Sequence, residues 1–311
     1  MKIVFMGTPD FSVPVLRALK EAGHEICAVV TQPDKPKGRG KRMQFSPVKE
    51  CAIAYGLTIY QPKKVKEDSF IEQIKDIKPD AIIVVAFGQI LPQVFLDIPK
   101  YGCINVHASL LPRWRGAAPI QYAILHGDKE SGVTIMQMDA GIDTGDMLLS
   151  QKVILDEKET AGSLHDKLST IGADLLLKTL EGLELGTITP HKQEDSLSCY
   201  AGMLTKELGN IDFSKSAEEI ERLIRGLNPW PSAYTIWNKK TLKIWEAEVK
   251  KEQREEERKQ PGTILEVKKD CFDIQTGDGI LVVKEVQLEG KKRMDAASFL
   301  RGYHLLKGMI L

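Results

Sequence analysis

The 311 residues balance 43 Lys+Arg against 43 Asp+Glu, with 42% hydrophobic and 28% charged positions. A chain of this length can bury two separate cores, and zero formal net charge excludes a globally basic nucleic-acid binder, so any RNA contact must come from a local patch. Five widely spaced cysteines (Cys27, Cys51, Cys103, Cys199 and Cys271) with no C-x-x-C pair exclude a disulfide framework and a zinc ribbon.

The chain opens on an apolar strand, Ile3–Met6, with no basic leader before it, and its longest apolar stretch, Ala81 to Leu91, is too short for a bilayer. The expectation is a soluble cytoplasmic protein that is not exported. Thr8-Pro9 is suited to open a helix that stops near Gly23. Ile26–Thr31 reads as the second strand and Gln32 to Phe45 as a long basic loop. Ser46 caps a helix running to Gly56. Strands are expected at Leu57–Tyr60, Ala81–Val85 and Cys103–Val106, and helices at Glu67–Ile77 and Pro119–His126. Short apolar strands separated by amphipathic helices predict an α/β fold with a doubly wound, mostly parallel Rossmann-like sheet. Gly132–Met138 and Asp146–Leu155 read as a strand pair, and Thr160–Leu185 has helical periodicity.

From Gly186 to Gly209 the sequence is polar and aperiodic, which predicts a catalytic domain over 1–188, a linker over 189–208 and a C-terminal domain over 209–311. The last third offers a helix at Ala217–Leu227. Five short strands follow at Ala233–Trp237, Leu242–Val249, Gly262–Lys268, Phe272–Gln275 and Gly279–Gln287, predicting a C-terminal OB-type β-barrel. The charged run Lys250–Lys259 is expected to be an exposed loop, and Trp230, Trp237 and Trp245 are expected in the core.

The residues that point to chemistry lie between Asn105 and Gly145. In Asn105-Val-His107-Ala-Ser109-Leu110-Leu111-Pro112, strand alternation puts Asn105 and His107 on one face at the carboxyl end of a central strand. An amide that donates to an oxyanion, beside an imidazole that moves protons or supplies charge, suits acyl-type transfer. Downstream, Asp139-Ala-Gly141-Ile-Asp143-Thr144-Gly145-Asp146 forms a tight acidic turn. Any of its three aspartates can be a turn residue bonding its own backbone. The turn after the first strand, Gly7-Thr-Pro-Asp-Phe11, lacks the spacing of a dinucleotide fingerprint. Lys35, Lys37, Arg39, Lys41 and Arg42 interleave with Pro and Gly in a loop suited to a phosphate backbone.

Asn-x-His followed by Ser-Leu-Leu-Pro, with Asp-x-Gly-x-Asp-Thr-Gly downstream, resembles the folate-dependent formyltransferases. Met6-Gly-Thr-Pro-Asp-Phe-Ser12, the basic loop from Val30 to Lys41, and Asn228-Pro-Trp-Pro-Ser-Ala233 resemble the branch of that family acting on charged tRNA. The resemblance covers essentially the whole chain, with no departure at a family catalytic position. It implies that Asn105, His107 and Asp143 are the catalytic trio and that Ser109, Leu110, Leu111 and Pro112 lie along the folate. It also implies 10-formyltetrahydrofolate as formyl donor, methionyl initiator tRNA as acceptor and the basic loop as a tRNA contact, in a monomer with no metal. The C-terminal domain is nearly neutral, so Lys206, Arg222, Arg225, Lys291, Lys292, Arg293 and Arg301 form either a basic face or a mixed solvated surface. Rival readings are formyl transfer to a small amine, glycinamide ribonucleotide or an amino sugar, and a non-enzymatic RNA-binding module.

Overall fold

The computed structural model describes residues 1–37, 42–250 and 259–311, with the backbone alone at 36, 37 and 42. The chain divides into two compact units. The first comprises Met1–Pro119, Glu130–Ile154 and His165–Ala201, and the second Ile120–Lys129, Leu155–Leu164 and Gly202–Leu311.

The first unit begins β1 (Lys2–Gly7), α1 (Val13–Glu21), β2 (Glu25–Val30), β3 (Lys35–Lys37), β4 (Arg42–Gln44), α2 (Pro47–Ala54) and β5 (Ile59–Tyr60). It continues through α3 (Asp68–Ile77), β6 (Ala81–Val85), α4 (Gln93–Leu96), β7 (Cys103–His107) and β8 (Arg115–Gly116). β9 (Glu130–Gln137), β10 (Met147–Ile154), α6 (Ala161–Leu185) from His165 on and β11 (Tyr200–Ala201) complete it, whereas α5 (Pro119–Leu125) falls in the second unit from Ile120 on. The main sheet has the order β10-β9-β7-β6-β1-β2-β5. Its five strands from β5 to β7 are parallel, and the β9–β10 hairpin adds an antiparallel edge.

Strands buried on both faces read as unbroken apolar runs, and Ile3–Met6 and Ala81–Val85 are buried throughout. On one face Val4, Met6, Ala28, Val30, Ile82 and Val84 pack with Phe70, Ile71, Ile74 and Phe95 of α3 and α4. On the other, α6 approaches so closely at Gly172 that an added Cβ would lie 2.8 Å from Val106. Strand order runs in opposite directions on the two sides of β1, which opens a crevice at the carboxyl ends of β1, β6 and β7.

Two local expectations are corrected. Thr8-Pro9 does not cap α1: a 3₁₀ turn, Asp10–Ser12, precedes that helix, and Thr8 Oγ1 instead donates to the Phe87 carbonyl at 3.2 Å. The stretch read as a loop over Gln32–Phe45 carries the β3–β4 hairpin, whose backbone bonds need no apolar alternation to form. Ser46 does cap α2, accepting from the Lys49 amide at 3.1 Å.

The second unit carries α7 (Ala217–Gly226), β12 (Ala233–Trp237), β13 (Lys240–Lys250), β14 (Ile264–Val267), β15 (Phe272–Gln275), β16 (Ile280–Leu288), β17 (Met294–Asp295) and α8 (Ala296–Gly302). Its sheet is antiparallel, ordered β12-β13-β16-β15-β14, with β17 also on β16. Ile220 and Ile224 of α7 and Phe299 of α8 join Trp237, Leu242, Ile244, Phe272, Ile274, Leu281 and Val283 in its core. Of the three tryptophans expected there, Trp237 is buried. Trp230 is 53% exposed, and Trp245 lies half-buried on the sheet with Arg293 over its ring.

Candidate active site

Strand β7 carries Asn105 and His107 two residues apart, so their side chains leave the same face. Asn105 is half-buried and His107 is 5% exposed. The loop between β9 and β10 delivers Asp143 to them. Asn105 Nδ2 donates to Asp143 Oδ1 at 3.3 Å, and His107 Nδ1 faces Asp143 Oδ2 at 3.7 Å. Asp139, one of the two other carboxylates of that turn, behaves differently: its Oδ1 accepts from the Gly141 amide and the Thr144 hydroxyl of its own loop. Gly145 is required there, because a Cβ would sit 1.8 Å from the Gln137 carbonyl oxygen.

The imidazole has a fixed orientation. Its Nε2 lies 2.9 Å from the Trp114 carbonyl oxygen, which only accepts, so Nε2 carries a proton. Asp143 Oδ2, at 3.7 Å from Nδ1, is too far for a hydrogen bond to the ring. Trp114 reaches His107 by adopting φ 62°, a left-handed conformation unusual outside glycine. Asp143 is also left-handed, at φ 54°, and its Oδ2 accepts from the Gly116 amide at 2.8 Å.

Ser109–Pro112 runs away from β7 as a tied segment. Ser109 Oγ donates to the Arg113 carbonyl at 2.6 Å, and Thr134 Oγ1 donates to the Ser109 carbonyl and accepts from the Leu111 amide. Ser109 and Leu111 are buried, whereas Leu110 and Pro112 keep partial exposure. Any ligand here thus meets Leu110, Pro112 and main chain rather than the Ser109 or Leu111 side chains.

Residues not anticipated from sequence complete the arrangement. Gln193 Nε2 donates to the carbonyls of Asp143 and Gly145, both at 2.8 Å, and its Oε1 accepts from Arg115 Nε at 2.9 Å. Arg115 is 2% exposed. Burial pulls its guanidinium down, but the Asp195 carboxylate and the Tyr200 hydroxyl more than offset this and hold it above its ordinary value. No periodic signal marks Gln193.

In the basic loop Lys35 is exposed at the start of β3. Lys37 and Arg42 are paired backbone partners in the hairpin, and Arg39 and Lys41 lie outside the described residues. The stem is pinned: Lys49 Nζ and then Gln61 Nε2 bond Asp34, holding its carboxyl below the usual range. In the second unit, Arg225 is paired with Glu221 and Arg293 with Glu285, so neither presents a free charge. Among the described residues no cluster of His, Cys, Asp or Glu is placed to hold a metal, and no helix is long and apolar enough to cross a membrane.

The family model described as formyl transferase matches residues 1–180, and that described as formyl transferase, C-terminal domain matches 203–304. The chain belongs to the formyl transferase family. It is 59% identical over 314 residues to a methionyl-tRNA formyltransferase of Lachnospira eligens, covering 100% of this chain and 99% of that one. It is 51% identical to the methionyl-tRNA formyltransferase of Clostridioides difficile, with both chains fully covered. Among solved structures it resembles WlaRD, a sugar 3N-formyl transferase, at TM-score 0.67 and 21% identity, over 94% of this chain and 99% of that one. HypX from Aquifex aeolicus, solved in complex with tetrahydrofolic acid, matches at TM-score 0.64 and 19% identity, over 96% of this chain and 47% of that one. These structural likenesses establish the fold.

Proposed function

We propose that this formyl transferase moves the formyl group of 10-formyltetrahydrofolate onto the α-amine of methionyl initiator tRNA, in the cytoplasm and as a monomer. The observation that carries the chemistry is the convergence of Asn105, His107 and Asp143 at the carboxyl edge of β7. Full-length identity of 50–59% to methionyl-tRNA formyltransferases supports the acceptor.

In this reading the acceptor amine attacks the formyl carbon and a tetrahedral oxyanion forms. Asn105 Nδ2 has two protons. One goes to Asp143, which leaves the second for the oxyanion, a contribution of roughly 3 kcal/mol to barrier lowering. His107 keeps Nε2–H on the Trp114 carbonyl, so proton uptake occurs at Nδ1, where the resulting charge faces Asp143 and the reacting centre. Asp143 Oδ2, 3.7 Å from Nδ1, stands where it can relay a proton through water. The amine then gives a proton through water to Asp143, the carbon–N10 bond breaks, and that proton passes to N10 as tetrahydrofolate leaves.

Leu110, Pro112 and the tied main chain of Ser109–Leu111 form the wall for the folate. The basic loop with Lys35, Lys37, Arg39, Lys41 and Arg42 meets the tRNA backbone. The antiparallel unit serves as an OB-type domain over 209–311 that holds the rest of the tRNA, following the catalytic domain over 1–188 and the linker over 189–208.

The test supplies 10-formyltetrahydrofolate with methionyl initiator tRNA, glycinamide ribonucleotide, an amino sugar nucleotide or uncharged tRNA in parallel. Formyl-methionine from the charged initiator alone is the expected result. Transfer to a small amine would overturn the acceptor while keeping the trio, and RNA binding without turnover would leave the binding-module reading.

A further inference from the structure

We propose that Gln193 and Arg115 are positioning residues for formyl transfer, and that Gln193–Ala201 is a strap holding the two halves of the site in register. This rests on the roles given above to Asn105, His107 and Asp143.

A gap separates His107 from Asp143. At 3.7 Å the two groups do not bond each other, so third parties must set their separation. The strap supplies them at both ends.

At one end, Gln193 uses its full amide. Both Nε2 protons go to carbonyls of the Asp143 loop, and Oε1 takes a proton from Arg115. Carbonyls cannot donate and a guanidinium cannot accept, so this side chain has one possible orientation. It braces Asp143 in a left-handed conformation that persists in a non-glycine residue only when its surroundings over-determine it. Arg115 also donates from Nη2 to Asp195 at 2.7 Å, which carries the chain of bonds out to a carboxylate 84% exposed.

At the other end, Tyr200–Ala201 pairs in parallel with Arg115–Gly116. The Arg115 amide donates to the Cys199 carbonyl at 2.9 Å, and the Ala117 amide to the Ala201 carbonyl at 2.8 Å. The Trp114 amide donates to Cys199 Sγ at 3.3 Å. Gly116 is pressed so tightly that a Cβ would lie 2.6 Å from the Ala201 carbonyl oxygen. The segment so held touches both catalytic partners, since the Trp114 carbonyl takes the His107 proton and the Gly116 amide donates to Asp143. One stretch of chain therefore fixes the Asp143 main chain, the Asp143 carboxylate and the His107 ring together.

The decisive variant is Gln193→Glu, which keeps the shape and the bond to Arg115 but cannot donate to two carbonyls. The expected result is a fall in kcat of roughly 10²-fold, since a misplacement near 1 Å has that effect. KM for 10-formyltetrahydrofolate should stay within about threefold of wild type by the same positioning argument. The pH profile of kcat/KM should be displaced as well, because the His107–Asp143 separation is no longer set. A purely structural residue would lower Tm and leave the kcat of folded enzyme and the pH profile alone.

Asp195→Asn, at an exposed position, gives a second reading if Gln193→Glu does not fold. It should show a smaller loss of kcat with the same direction of pH displacement. A wild-type kcat and pH profile in the folded variant overturns the strap. His107→Ala, assayed alongside, separates the two ideas: if it is inactive while Gln193→Glu behaves as wild type, only the strap fails, and if it retains turnover, the site itself is misread.

Discussion

The carboxyl edge of the first sheet and the interior of the second are built on opposite principles. At the edge, buried and half-buried polar groups meet polar partners: Asn105 and Arg115 bond residues of distant stretches, Asp143, Gln193 and Asp195, and His107 bonds Trp114 seven positions on. In the second unit, rings meet rings. Phe299 packs on Trp237 at 5.5 Å and on Tyr303 at 4.9 Å, within a core of aliphatic strand residues. Polar burial is costly and is retained where chemistry needs it, whereas aromatic burial is where stability comes from. Substitutions in the two regions should therefore separate rate from stability.

The largest separation is expected at the edge. His107→Ala should lower kcat by roughly 10²–10⁴-fold, while the affinity for 10-formyltetrahydrofolate, read by calorimetry, changes little. In the second interior, Phe299→Ala should reduce unfolding free energy by about 3–5 kcal/mol through the cavity it leaves, seen as a loss of Tm. Ser216 accepts from the Glu219 amide at the start of α7 while Glu219 returns a bond to Ser216. Ser216→Ala should cost about 1 kcal/mol in denaturant titration, with formyl transfer by the folded protein intact.

A further effect appears only in alkali. Burial, with the Asp97 charge adding to it, pushes the Cys103 thiol up to about 12 from its ordinary 9.0. The folded value is raised, so the unfolded chain ionises first. The contribution is fully present below pH 9 and is lost as pH rises toward 12. Cys103→Ala should flatten the alkaline limb of a stability–pH curve relative to its neutral plateau, which itself falls because a buried core side chain is truncated.

The same contrast explains what the sequence disclosed. The central strands were readable because burial on both faces writes unbroken apolar runs such as Ala81–Val85. Asn105 and His107 were readable because period-two geometry puts them side by side. Asp143 could be chosen over Asp139 only by resemblance, since both sit in one turn; the difference lies in which way each carboxylate faces. Gln193 was hidden because its partners stand 50 and 78 positions away, and no local pattern encodes such bonds. Trp237 and Trp230 differ for a similar reason: the first lies in a strand facing the core, and the second stands in the turn before it, 53% exposed.

In the proposed reaction Asn105 acts on the transition state rather than on the bound folate. Single-turnover formyl transfer and folate Kd measured together on Asn105→Ala test it most directly. The expected result is a transfer rate lower by roughly 10²–10³-fold with Kd essentially unchanged. A Kd weakened by as much as the rate, or a rate close to wild type, would contradict it.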